Sequence, residues 1–164
     1  MTSHEDQPVE WADDLLGRVD ELIDEYRAAL HGALDGLTEE EARMQMVSSN
    51  TTLLGLVKHV SFVEGVWFDQ AITSRSLAEI GIASSPARSF TLHASDTIES
   101  VRSDYRDRWE RSKDTLAGLA PDDVVDGKGP RPVWALRLQV MRELAQHTGH
   151  ADILREQILA RRAS

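Results

Sequence analysis

A chain of 164 residues with 28 acidic residues, 18 basic residues and no cysteine carries a formal net charge of −10. The missing cysteines exclude disulfides, thiolate ligands and a protein-borne sulfur nucleophile, so any thiol chemistry needs a thiol from outside. No clustered basic surface of the kind that neutralises nucleic-acid phosphates is present.

The leader M-T-S-H-E-D-Q-P is acidic and lacks the basic and apolar regions of a signal peptide. No apolar run approaches the roughly 18 residues of a membrane span. The expectation is a soluble cytoplasmic protein forming a single domain over residues 1–164, large enough to bury a core without staples. Aromatic residues make up 5% of the chain, and no strand-like alternation with hairpin signals is seen. The class is all-α.

The first helix is expected from about Pro8 to Leu37, with Leu15, Val19, Leu22, Tyr26, Leu30, Ala33 and Leu37 as its apolar stripe. Asp13, Asp14, Asp20, Glu21, Asp24 and Glu25 read as a solvated acidic face near a helix N-terminus, where the macrodipole favours anions. His31 lies beside the stripe and is assigned no role. Thr38 to Glu41 fits a capping box opening a short helical piece through Met46.

A second long helix starts near Asn50 or Thr51, with Leu53, Leu56, Val60, Val63, Val66 and Trp67 on its apolar side. His59 leans towards that side, and Lys58 and Glu64 are expected to point away. Residues 73–95 form a long loop with one turn near Leu77 to Ile80, and loops of that length in a small domain are usually functional or mobile. Phe90 and Leu92 are expected to fold back onto the core, while His93 is a loop residue.

Asp96 is expected to cap a third helix bearing Ile98, Val101, Tyr105, Trp109, Ser112, Leu116 and Leu119, ended by Pro121. Arg102, Arg106, Arg108 and Arg111 alternate with Asp104, Asp107 and Glu110, the pattern of a solvated, ion-paired face. A second loop runs from Asp126 to Pro132. The last helix carries Val133, Leu136, Val140, Leu144, His147, Ala151, Leu154 and Ile158 in a stripe of three-and-four spacing. Four long helices, two of their three connections long, make a four-helix bundle.

The chemistry concentrates in R-E-L-A-Q-H-T-G-H-A-D-I-L-R, Arg142 to Arg155. His147 is a stripe residue, His150 follows at i+3, and Glu143 precedes at i−4 within side-chain reach. Polar groups turned to an interior need compensation, and a divalent metal is the leading candidate. Together with His59 from the second helix, they match the open arrangement of three protein ligands plus water found in catalytic zinc sites. Nickel, iron and manganese suit similar nitrogen and oxygen donors. There is no G-x-S-x-G, Walker or G-x-G-x-x-G motif.

The segments T-T-L-L-G-L-V-K-H-V-S-F-V-E-G-V-W-F (Thr51 to Phe68) and E-L-A-Q-H-T-G-H-A-D-I-L-R-E (Glu143 to Glu156) resemble the DinB-like/YfiT-like superfamily, nearest its actinobacterial branch. The resemblance implies a four-helix bundle in which one histidine of the second helix and a pair from the fourth hold a divalent metal, zinc or nickel foremost. His59 corresponds to the first. The family pair is spaced i, i+4 as H-x-x-x-H or E-x-x-x-H; this chain offers Glu143 with His147 at that spacing, and His147 with His150 at i, i+3. The set preferred is His59, His147 and His150. Glu143 in place of one of them matches the thiol-dependent maleylpyruvate isomerase branch. Gln139 stands where relatives tend to show histidine.

Characterised relatives imply a metal-dependent transferase or isomerase that uses a low-molecular-weight thiol, such as mycothiol, on a small-molecule electrophile. A metal-dependent hydrolase and a non-catalytic ligand- or partner-binding bundle are the alternatives. Tryptophans at positions 11, 67, 109 and 134 raise a homodimer as a further expectation.

Overall fold

The computed structural model describes residues 14–162. Four long helical segments dominate: α1 (Leu15–Gly32), α3 (Leu53–Glu64), α7 (Ile98–Leu116) and α8 (Val133–Arg161). Short helices α2 (Glu39–Ala42), α4 (Ala71–Thr73), α5 (Leu77–Ile80) and α6 (Pro86–Ser89) lie in the connections. α8 packs against α1 and α3, and α7 packs against α3 and, less extensively, α1. The long segments therefore close into an all-α bundle. No helix among the described residues is long and apolar enough to cross a membrane.

The last helix follows its sequence pattern throughout. All eight expected stripe residues, from Val133 to Ile158, are the buried residues of α8. In α1 the expected stripe holds in part: Val19, Leu30 and, just past the helix, Ala33 are buried, and Tyr26 and Leu37 pack on the core. Leu15 and Leu22 are exposed, however, and Ile23 and Arg27 are buried in their place. A buried arginine occupies the seam, so hydrophobicity alone misses the true period. Asp14 caps α1, its carboxylate accepting from the Gly17 N–H at 2.7 Å. The expected start at Pro8 falls outside the described residues, and the helix ends at Gly32, short of Leu37.

The Thr38–Glu41 capping box is present, but α2 stops at Ala42 instead of reaching Met46. α3 is capped by Thr52, whose hydroxyl accepts from the Gly55 N–H at 3.0 Å. Beyond Glu64 the helix widens into a π turn, Gly65–Gln70, in which the Ala71 N–H reaches back to the Val66 carbonyl. Such turns recur at functional sites.

Two charged residues expected to be solvated are interior. Glu64 is wholly buried and receives both Arg27 nitrogens, Nε at 2.9 Å and Nη2 at 2.7 Å. Burial opposes the charge on Arg27, but the Glu64 and Asp24 carboxylates outweigh it and raise its pKa. Tyr105, buried beside this pair, has its hydroxyl pushed well above the ordinary value by burial and by Glu64. Arg108 is buried too, 3.3 Å from Asp69 and 3.2 Å from the Ile80 carbonyl. Lys58 is half-buried and bonded to Asp96 at 2.7 Å.

Thr97, not Asp96, caps α7, exchanging hydrogen bonds with Ser100. Asp96 is instead taken by Lys58 and by the His93 N–H. Between α7 and α8, a short antiparallel ribbon pairs β1 (Val124–Val125) with β2 (Arg131–Pro132). Each strand is two residues long, too short for an alternating pattern to announce. Trp134 is exposed, Trp67 and Trp109 are half-buried, and Trp11 lies outside the described residues.

Candidate metal centre

His59 projects from the middle of α3 into the bundle and is 6% exposed. Its surroundings depend on a close approach of the long loop to the helix. A Cβ on Gly55, one turn before His59, would meet the Phe90 carbonyl oxygen at 2.8 Å, so only glycine lets that backbone lie so near. The same approach seats α6, capped by Ser85 with Pro86 in its first turn, against α3.

Ser89, at the end of α6, then stands 2.6 Å from His59 Nδ1 through its Oγ. The serine proton is directed to the Pro86 carbonyl at 2.5 Å, so Oγ accepts from His59 Nδ1–H. This pairing leaves the lone pair on Nε2. The ring stacks on Phe90, centroids 3.9 Å apart and planes 14° off parallel.

His147 of α8 meets His59 edge-on, with ring centroids 4.7 Å apart at 81°. Burial first, and the neighbouring His147 second, push the His59 pKa down to about 4. Burial also lowers that of His147, assisted by His150 and opposed by Glu143. Both imidazoles are therefore neutral at pH 7, the form that ligates metal.

The remaining pair flanks His147 at the solvent edge. Glu143 Oε2 is 3.7 Å from His147 Nε2, and its other oxygen accepts from Gln139 at 2.9 Å and Arg142 at 2.5 Å. His150 is exposed, its Nδ1 3.4 Å from that of His147. Helical geometry explains the difference: i+3 falls about 60° round the helix and i−4 about 40°. Among the described residues, no group of three or more histidine, aspartate and glutamate side chains is drawn together as a metal cage. The fold joins His59 to His147 and leaves Glu143 and His150 as neighbours of the second. Two neutral nitrogens, one with its other nitrogen anchored, plus an adjacent carboxylate are donors of the types that divalent metals accept.

A cavity of about 470 Å³ opens beside this pair, lined among others by His59, Phe62, Trp67, Gln139 and Glu143. Its rim includes Leu77, Ser84, Ser85 and Pro86 from the long loop and Lys128 from the second loop. Lys128 Nζ and the Arg131 guanidinium lie 5.5 Å and 5.1 Å from the Trp67 ring centroid, a cation–π arrangement. His31 is remote from this chemistry, held by Arg102 and Arg106, and His93 lies in the loop beside Asp96.

Ser89 had no sequence assignment. Its signal was S-S-P-A-R-S, Ser84 to Ser89, a serine cap followed by proline, which announces a short helix within the loop.

A helical bundle that buries facing histidines from its second and fourth long segments, beside an open cavity, is the architecture expected of the DinB-like/YfiT-like class. Within it the chain belongs to the mycothiol-S-transferase family, whose family model matches residues 18–160. No curated protein matches the chain.

Proposed function

We propose that this protein is a divalent-metal-dependent S-transferase or isomerase that uses a low-molecular-weight thiol of the mycothiol type to act on a small electrophile. The metal would be held by His59, His147 and either His150 or Glu143. The observation that carries this reading is the pair of buried, neutral imidazoles meeting beside a cavity, with His59 Nε2 left as the lone-pair nitrogen. Family membership supports the thiol and the transfer.

A bound divalent cation supplies positive charge that favours the thiolate over the thiol at neutral pH. The protein's own residues do the rest. Ser89 fixes the tautomer and direction of His59. Phe90 stacks on the face of the His59 ring and Phe62 lies beside it, which holds the imidazole plane in place. In the reaction the thiol gives up its proton to solvent and sulfur bonds to the electrophilic carbon. In a transferase the electron pair leaves on the displaced group or takes up a proton from solvent; in an isomerase the carbon–sulfur bond then breaks again and the thiol is released unchanged. Holding the reactants side by side in the cavity supplies the orientation.

The test is metal content of protein purified without a histidine tag or chelator, followed by cobalt substitution and titration with mycothiol. Stoichiometric metal and a spectral change on adding thiol are expected. Absence of metal after supplementation would support a non-catalytic bundle whose His59 is satisfied by Ser89 alone.

A further inference from the structure

The cavity beside His59 has a second end that thiol activation does not use. Trp67 forms part of its wall there, with Lys128 and Arg131 both over the indole. The chain carries a net charge of −10, yet neither cation has an ion-pair partner among the described residues. Asp126, in the same loop, pairs with neither.

The backbone fixes them in place. The Gly127 N–H donates to the Ala71 carbonyl at 2.9 Å, and a Cβ on Gly127 would sit 2.0 Å from the Gln70 carbonyl oxygen. Only glycine can dock so closely on the helix end that follows Trp67. Pairing of Val125 with Arg131 closes the ribbon on the other side.

Charge is distributed unevenly along the cavity. Glu143 lines the same space near His147, and Lys128 lines the end near Trp67. Lys128 attracts an entering anionic group to the end near Trp67, which turns the rest of the molecule towards His59.

We propose that Lys128 and Arg131, set over Trp67, form an anion-recognition site, and that the electrophile admitted to the cavity carries a carboxylate or a phosphate. Its assignment as the substrate's anchor rests on the function proposed above; the anion site itself does not.

The experiment uses the full chain after chelator treatment, with the Trp67 indole N–H resonance assigned by its loss in Trp67→Phe. Monomethyl succinate and methyl phosphate are the anionic probes, and dimethyl succinate is the neutral control. A saturable shift of that resonance by one or both anions is expected, weakening as salt rises. The shift should be absent with the diester and need about tenfold more anion in the Lys128→Ala/Arg131→Ala protein. Whichever anion binds more tightly identifies the carboxylate or the phosphate. No saturable shift with either anion, equal binding of the diester, or unchanged affinity in the double variant overturns the proposal. Because no metal is present, these outcomes are independent of whether the histidines bind one.

Discussion

His59 Nδ1 and Ser89 Oγ are 2.6 Å apart, and the serine's own proton is committed to the Pro86 carbonyl. One hydrogen-bond direction follows for the imidazole, and with it one free nitrogen. Ser89→Ala should therefore weaken zinc or nickel affinity by about 10- to 100-fold, the usual cost of losing a ligand's outer partner. Competition against a chromophoric chelator measures this. An unchanged affinity would show that Ser89 only fills space.

Metal that binds only the folded state raises the melting temperature by mass action, by about 2.7 kcal/mol of stability at a hundredfold excess over Kd. That increment should vanish in His59→Ala and His147→Ala and persist in His31→Ala and His93→Ala. Calorimetry with and without metal gives the comparison. A metal-dependent shift retained by the His147→Ala protein would falsify its role as a ligand.

Arg27 and Glu64 form a buried, two-point ion pair. Removing one partner strands the other charge, at a cost of about 3–5 kcal/mol. Arg27→Met should lose that much in urea unfolding. Arg27→Met combined with Glu64→Leu should recover most of the loss, since no charge is then left unpaired.

Burial opposes ionisation of Asp96, but hydrogen bonds from Lys58 and the His93 N–H outweigh it and hold the carboxyl below its ordinary value. A carboxylate whose pKa is lower folded than unfolded stabilises the protein above the unfolded value, about 3.9, and this contribution fades as pH falls through the folded one. Asp96→Asn should therefore unfold more easily than the parent at pH 6. The gap should close as the pH drops below about 4. A gap constant across acid titration would mean that charge is not the cause.

Sequence reading succeeded where the apolar period ran unbroken. α8 shows it best, with eight stripe positions uninterrupted and His147 among them, so its phase was unambiguous. In α1 the period is broken by Arg27, whose burial depends on Glu64, 37 positions later; pairing at that distance leaves no local trace. The interior position of Glu64 is hidden for the same reason, since its partner Arg27 lies on another helix. α6 is a single turn, too short for periodicity, although its serine and proline are readable as a cap. The bundle is legible in the apolar periods of the four long helices and His59 in its phase on the second; family resemblance adds the thiol chemistry. It did not supply Ser89, or the two cations over Trp67, because those contacts are made by loops whose course only the folded chain defines.

The π turn at Gly65–Gln70 has a consequence for how this protein could be altered. A regular α-helix turns about 100° per residue, and the wide turn accommodates one residue more than that geometry needs. Deleting a single residue there would let the segment close into ordinary α-helix, swinging Trp67 away from its present bearing on the cavity. The histidines and both cations would remain in the chain, and its charge would be unchanged if the residue removed were neutral. Chain length across these six residues thus sets the bearing of Trp67 on the cavity, separately from the identity of the side chains that line it.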